Sequence, residues 1–269
     1  SITTPITIDP KPTVDFTFAN LCLNDATQFT DGSTIGSGSV NTWRWDFDGL
    51  GSSTLQNPTF TFPAAGTYDV KLVSGSGVGC LDSITKQVII NALPVADAGA
   101  DQNICPGTSV QIGVAPTAGF TYSWTPTAGL SNPNIANPIA TPANPTTYTV
   151  QITETATGCV NTDAMNITFN AVPTPAFTVN NTCINQITAF TDGSTIATGT
   201  IVTWAWDFDD ASATSTLQNP THGFSAAGTY QVKLVVTSNL GCKDSITTPI
   251  TIDPKPTVDF TFANLCLND

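Results

Sequence analysis

Apolar and polar side chains alternate along this chain in short runs. Trp43, Trp45 and Phe47 fall on one face of an extended segment, with Arg44 and Asp46 on the other. Tyr68, Val70 and Leu72 likewise lie opposite Asp69 and Lys71. A period of two residues is that of a β-strand offering one face to a core. Turn signals at Asp31-Gly32, Asn57-Pro58, Ala65-Gly66 and the Gly-rich 75–79 punctuate these runs at intervals suited to an antiparallel sandwich of about seven strands. The expectation is an all-β chain.

The pattern also repeats. FTDGSTI at 29–35 returns at 190–196, Trp43-x-Trp45-Asp46-Phe47-Asp48 returns as Trp204-x-Trp206-Asp207-Phe208-Asp209, and TLQNPT at 54–59 returns at 216–221. AAGTY at 64–68 returns at 226–230, each time followed by one residue and VKL. Between these copies lies a looser relative, with Tyr122-Ser123-Trp124 and Thr147-Tyr148-Thr149-Val150-Gln151-Ile152 at the corresponding places. The expected modules are 13–91, 94–171 and 174–253. Residues 1–12 would be the last strand of a preceding module with its linker, and 257–269 the first strand of a following one. The 25 residues at 1–25 recur unchanged at 245–269, which marks a 244-residue period. The joints are proline-rich, at Asp9-Pro10-Lys11-Pro12, Leu93-Pro94, Val172-Pro173-Thr174-Pro175 and Asp253-Pro254-Lys255-Pro256, and so are short and semi-rigid. A strand at 257–262 that completes a neighbouring molecule is the rival to continuation into a further module.

Composition supports the strand reading, because charged residues are only 10% of the chain and long Leu/Ala/Glu/Lys stretches are absent. A net charge of −13, with no Lys/Arg cluster, argues against nucleic acid and anionic membrane as partners. No apolar run nears the roughly 20 residues that cross a bilayer, and no signal peptide opens the chain. The segment is therefore expected to be interior, its export signal elsewhere.

Seven cysteines are present, two in each module and one in the terminal repeat. Cys22 and Cys80, Cys105 and Cys159, and Cys183 and Cys242 are separated by 58, 54 and 59 residues. That spacing predicts three disulfides within modules, with Cys266, the duplicate of Cys22, pairing in the next module. Bonds of this kind imply an oxidising, extracytoplasmic setting.

WRWDFDG, TLQNPTFTFPAAGTYDVKLV and their second copies WAWDFDD and TLQNPTHGFSAAGTYQVKLV closely resemble the PKD domain, an immunoglobulin-like β-sandwich. The loop after the Trp strand departs from the family's usual Gly-Asp-Gly. The middle module, with PVADAGADQNICPGTSVQI and PTTYTVQITETATGC, resembles the immunoglobulin-like repeats found beside PKD domains in giant surface proteins of the Bacteroidota. The resemblance implies tandem immunoglobulin-like sandwiches in an elongated array, a type IX-secreted protein at the cell surface, and kinship with gliding-motility filamentous adhesins. Tyr68 after Gly66 resembles the tyrosine corner of such folds, whose phenol anchors a loop to the backbone.

Four candidate chemistries follow from residue type and place. Asp46, Asp48, Asp207, Asp209 and Asp210 end the Trp strands, where carboxylates can converge on Ca²⁺, or else cap turns. Ser83 and Ser245, in Asp-Ser-Ile, resemble the short O-glycosylation site of Bacteroidota. The Trp pairs 43/45 and 204/206 offer aromatic faces for a sugar, but the alternation assigns them to the core. His222 replaces Phe60 of the sister module, an exchangeable surface or edge position rather than a general base. With no nucleophile elbow, zinc motif or phosphate loop, no enzyme is expected, and no cofactor beyond a candidate Ca²⁺. The leading function is a structural stalk or filament segment of a repetitive adhesin. Its partners are neighbouring modules of its own chain and, through a distal region, a surface or glycan ligand. The alternatives are modules that bind glycan or protein themselves, or that accompany a secreted hydrolase.

Overall fold

The computed structural model describes residues 10–76, 79–180 and 182–261. Every regular element among them is a β-strand, and no helix is long and apolar enough to cross a membrane. In the first module the strands are β1 (Phe16–Ala19), β2 (Thr27–Asp31), β3 (Val40–Phe47), β4 (Ser52–Ser53), β5 (Thr59–Phe60), β6 (Gly66–Ser76) and β7 (Leu81–Ile90). The middle module contributes β8 (Gln102–Ile104), β9 (Val110–Gln111), β10 (Phe120–Thr125), β11 (Ile139–Ala140), β12 (Thr146–Glu154) and β13 (Val160–Phe169). The third contributes β14 (Phe177–Asn180), β15 (Ile187–Asp192), β16 (Ile201–Asp207), β17 (Thr221–Gly223), β18 (Gly228–Ser238) and β19 (Lys243–Ile252).

Two compact units divide the chain. One holds the first module with 111–140 and 147–165, and the other holds the third module with 101–110, 141–146 and 166–261. In the first module a sheet of order β1-β2-β5 faces one of order β4-β3-β6-β7. The third repeats this with β14-β15-β17 and β16-β18-β19. The β3–β6 ladder sets Trp45 opposite Leu72, and β16–β18 sets Trp206 opposite Leu234. In the middle module Trp124 of β10 lies opposite Val150 of β12, so this relative keeps the pairing but shifts its register.

The alternation read from the sequence is the burial pattern. Phe16, Phe29, Trp45, Phe47, Val70 and Leu72 are at most 2% exposed, while Arg44, Asp46, Asp69 and Lys71 are exposed. Trp45 meets Phe16 edge-on at 5.1 Å, and Trp206 meets Phe177 at 5.0 Å, the geometry that aromatic quadrupoles favour. Each buried indole donates to a carbonyl across the module: Trp45 to Leu55, Trp124 to Ile135 and Trp206 to Leu217, all at 2.9 Å. The phenols of Tyr68 and Tyr230 donate to the carbonyls of Ala64 and Ala226, four residues upstream, as the tyrosine-corner resemblance implies.

Trp43 and Trp204 differ from Trp45 and Trp206, for they are half-buried at the margin of the core. Asp31 explains their position. Its carboxylate accepts the Trp43 indole N–H at 2.7 Å, the Gln56 amide at 3.2 Å and the Ser33 backbone N–H at 3.0 Å, while its own N–H donates to Asn57. Asp192 does the same with Trp204, Gln218, Ser194 and Asn219. The FTDGS, Trp and TLQNP motifs recur together because one carboxylate ties them. Burial pushes the Asp192 carboxyl up, but hydrogen bonds from Ser194, Gln218 and Trp204 outweigh it and hold it below the usual carboxylate range. Asp31→Ala leaves the Trp43 and Gln56 donors without their acceptor, and should cost the first module about 1–3 kcal/mol in denaturant unfolding. A change no larger than that of Arg44→Ala, at an exposed site on the same strand, would show that the carboxylate does not hold these motifs together.

Candidate functional site

The aspartates at the ends of the Trp strands serve turns. Asp46 accepts the Gly49 N–H at 2.8 Å, and Asp48 takes φ of 57°, which lets the chain reverse before Gly49. Asp207 accepts the Asp209 N–H, and Asp209 accepts the Gln231 N–H across the module at 2.8 Å. Asp210 is set apart from these. Its carboxylate lies 2.7 Å from His222 Nε2, and both side chains are largely buried. No three Asp, Glu, His or Cys side chains converge as a metal-holding group among the described residues.

His222 lies on β17, the edge strand of its sheet, as the surface-or-edge reading expects, but its ring is turned inward. Its ring stacks on Phe208 at 4.1 Å, as Phe60 stacks on Phe47 at 4.3 Å in the sister module. The imidazole keeps the aromatic packing and adds a polar edge, which is why Asp210 sits beside it. Ser83 on β7 and Ser245 on β19 are exposed, each following an aspartate that accepts its backbone N–H.

The cysteines are the chemically distinctive feature, and their partners are not those read from the spacing. Cys22 is bonded to Cys159, and Cys105 to Cys242, each bridge spanning 137 residues with Cα atoms 5.5 and 5.4 Å apart. Each joins the first cysteine of one module to the second cysteine of the module after it. The pairings Cys22–Cys80, Cys105–Cys159 and Cys183–Cys242 are therefore corrected.

Strand geometry gives the reason. Cys80 directly precedes β7, whereas Cys22 forms a parallel bridge with Asn91, directly after β7. Ten residues of strand place the two at opposite ends, about 30 Å apart, while a disulfide needs Cα atoms within about 7 Å. The other modules repeat the arrangement. Cys159 precedes β13 while Cys105 follows β8, which runs parallel with the last residues of β13, and Cys242 precedes β19 while Cys183 bridges Asp253 just after it. Within a module the two cysteines cannot meet; between successive modules they do. Asn20, Asp25, Asn91, Thr157 and Gly158 line a crevice beside the Cys22–Cys159 bridge. Cys80 holds the turn place before β7, and Cys183 is an exposed thiol. Cys266 lies outside the described residues.

A family profile described as the PKD domain matches residues 9–90 and 170–253, together more than half of the chain. The chain belongs to the PKD-domain family. Its two PKD modules are immunoglobulin-like β-sandwiches, PKD domains are typically non-catalytic accessory modules, and domains and disulfides of this kind are typical of extracellular proteins. A 71-residue stretch is 34% identical to the collagenase ColA of Bacillus cereus, covering 26% of this chain and 7% of that protein. Among solved structures, the PKD1 domain of the Vibrio cholerae metalloprotease PrtV is 30% identical over 30% of this chain and 98% of its own, with a TM-score of 0.29. The PKD1 domain of Vibrio anguillarum Epp is 24% identical over 32% of this chain and 99% of its own, with a TM-score of 0.30.

Two measurements check this site. Cys22→Ser with Cys159→Ser removes one bridge and the buried Cys159 sulfur but leaves the tryptophan cores intact, so the β-sheet circular dichroism should persist while unfolding free energy falls by up to about 5 kcal/mol, the chain-entropy value for a loop of this length. Unchanged stability would show the bridge to be absent in solution. Burial pushes the Asp210 carboxyl up, but hydrogen bonds from Ser212 and His222 and the His222 charge prevail and hold it low. A folded value below the ordinary 3.8 means that its stabilisation is complete above that pH and is lost as pH falls through the lowered value. Acid unfolding of the third module should therefore be less steep in Asp210→Asn than in the native chain, and equal steepness would remove Asp210 from the account.

Proposed function

We propose that this chain is a structural segment of an extracellular stalk or filament that carries an adhesive region away from the cell surface. The observation that supports this most directly is the overlap of the two bridges. Cys105 lies inside the loop closed by Cys22 and Cys159, and Cys159 lies inside the loop closed by Cys105 and Cys242. Tension entering at Cys22 crosses to Cys159, returns along the backbone to Cys105 and crosses to Cys242. Only 54 residues (159 minus 105) of chain lie on that route, against 220 (242 minus 22) along the backbone alone. A segment wired in this way resists lengthening, which suits a tether more than an enzyme accessory.

The narrower reading is a repetitive Bacteroidota adhesin of the type IX secretion route, acting in attachment or gliding. The sequence resemblance of all three modules and the 244-residue period support it. Its partners would be neighbouring modules of the same chain, and a ligand would be met by a distal region. The match to ColA favours a second reading, in which the modules accompany a secreted hydrolase and contact its substrate.

Single-molecule stretching between handles on unnatural residues placed next to Cys22 and Cys242, with both cysteines kept, separates the mechanical reading from its absence. Fully extended chain covers about 3.5 Å per residue, so the oxidised protein should stop near 190 Å and the reduced protein near 770 Å. Equal limits would overturn the stalk reading. Specific binding of collagen by this chain alone would favour the hydrolase accessory.

A further inference from the structure

The first cysteines of the three modules occupy one backbone niche. Cys22 is flanked by Leu23, whose N–H donates to the Asn91 carbonyl, and by Leu21, whose carbonyl accepts the Asn91 N–H. Around Cys183 the same two bonds run from Ile184 to Asp253 and from Asp253 to Thr182. Beside Cys105, Asn170 donates to the Ile104 carbonyl. Each of the three cysteines then accepts an N–H three residues on, from Asp25, Thr108 or Gln186, so its side chain leaves the same kind of turn.

The second cysteines share a niche of their own. Cys159 accepts the Glu154 N–H while Gly158 donates to Glu154, Cys242 accepts from Ser238 while Gly241 donates to it, and Cys80 accepts from Ser76 while Gly79 donates to it. Gly79, Gly158 and Gly241 have φ of 91°, 75° and 81°, so the glycine before each cysteine lets the turn close. Two bonds in the structure join a niche of the first kind to one of the second kind, always in the next module and always 137 residues on. Cys22 and Cys105, both bonded, are half-buried, whereas Cys183 is exposed.

We infer that Cys183 is a covalent attachment site for the module that follows it, and that its partner is the cysteine preceding that module's last strand. The disulfides then form a continuous ladder in which every joint between modules is crossed by one bridge. In a chain that continues the 244-residue period, the partner is the counterpart of Cys80, which falls 141 residues beyond Cys183 (244 plus 80 minus 183). That spacing is close to the 137 residues of the two bridges present. The inference uses the tandem-array reading for the following module and does not depend on any mechanical role.

Closing the bond takes two electrons and two protons from two thiols, and the oxidant is a disulfide. The Cys183 thiolate attacks one sulfur of that disulfide and releases a thiol. The partner thiolate then attacks the Cys183 sulfur of the mixed disulfide and releases the second thiol, which completes the protein bond and leaves the oxidant reduced.

The test is a recombinant chain in which residues 1–244 run into a second copy of 1–269, refolded in a glutathione redox mixture. Cys80→Ser in the first copy and Cys183→Ser in the second leave one combination of these two cysteines. Thiols are blocked with maleimide, and the chain is cut with pepsin at low pH, where thiolate and hence exchange are suppressed. The expected result is a peptide linking Cys183 of the first copy to Cys80 of the second, with maleimide labelling of Cys183 at background. Adding Cys80→Ser in the second copy should restore labelling. Labelled Cys183 alongside intact Cys22–Cys159 and Cys105–Cys242 bridges overturns the ladder and leaves the stalk reading standing. A Cys183–Cys242 bond overturns both.

Discussion

A disulfide within a small sandwich fastens two strands that the core already holds together, whereas one between successive sandwiches fastens what the core cannot reach. The bridges Cys22–Cys159 and Cys105–Cys242 are of the second kind. The first and third modules each have a hydrophobic centre around a tryptophan, and hydrophobic attraction acts only over the surface actually brought together. Proline-rich joints limit the conformations of the connecting chain but do not prevent the modules from separating. A covalent bond does, at the cost of fixing which end of each module must meet the next.

That fixing follows from the last strand. β7, β13 and β19 are each ten residues long, and each has one cysteine just before it and the other beside its far end. A rigid strand thus acts as a spacer that forbids bonding within the module. The spacer is in turn held by the core, because Val88 and Ile90 share the buried cluster of Trp45, and Ile250 and Ile252 that of Trp206. Packing and covalent wiring are therefore coupled: the tryptophan core sets where the thiols stand, and the thiols set the order of modules.

Much of the fold was legible because it depends on nearest neighbours in sequence. The alternation at 43–47 and 68–72 gave the strands, the Gly-Tyr spacing gave the corner at Tyr68, and the duplicated motifs gave the two PKD modules. Less legible were features that depend on distance through space. Trp43 follows the period of Trp45, which assigns it to the core, and it does pack against that core; Asp31 holds it at the margin, and only the joint recurrence of FTDGS and QNP hints at that link. His222 reads as a surface or edge exchange because the letter changes, and it does lie on the edge strand β17, but that reading does not show that the ring keeps the stacking of Phe60. The cysteine partners are hidden for a similar reason: separations of 54 to 59 residues look natural for a module, but proximity in sequence is not proximity in space. The signal that could have found the true partners was present, since Cys22 to Cys159 and Cys105 to Cys242 have the same separation of 137.

The account rests on bonds that cross from one module to the next, and mass-spectrometric mapping of the oxidised 269-residue chain, digested without reduction, measures them directly. It should return linked peptides containing Cys22 with Cys159 and Cys105 with Cys242. Peptides linking Cys22 with Cys80 and Cys105 with Cys159 would contradict it.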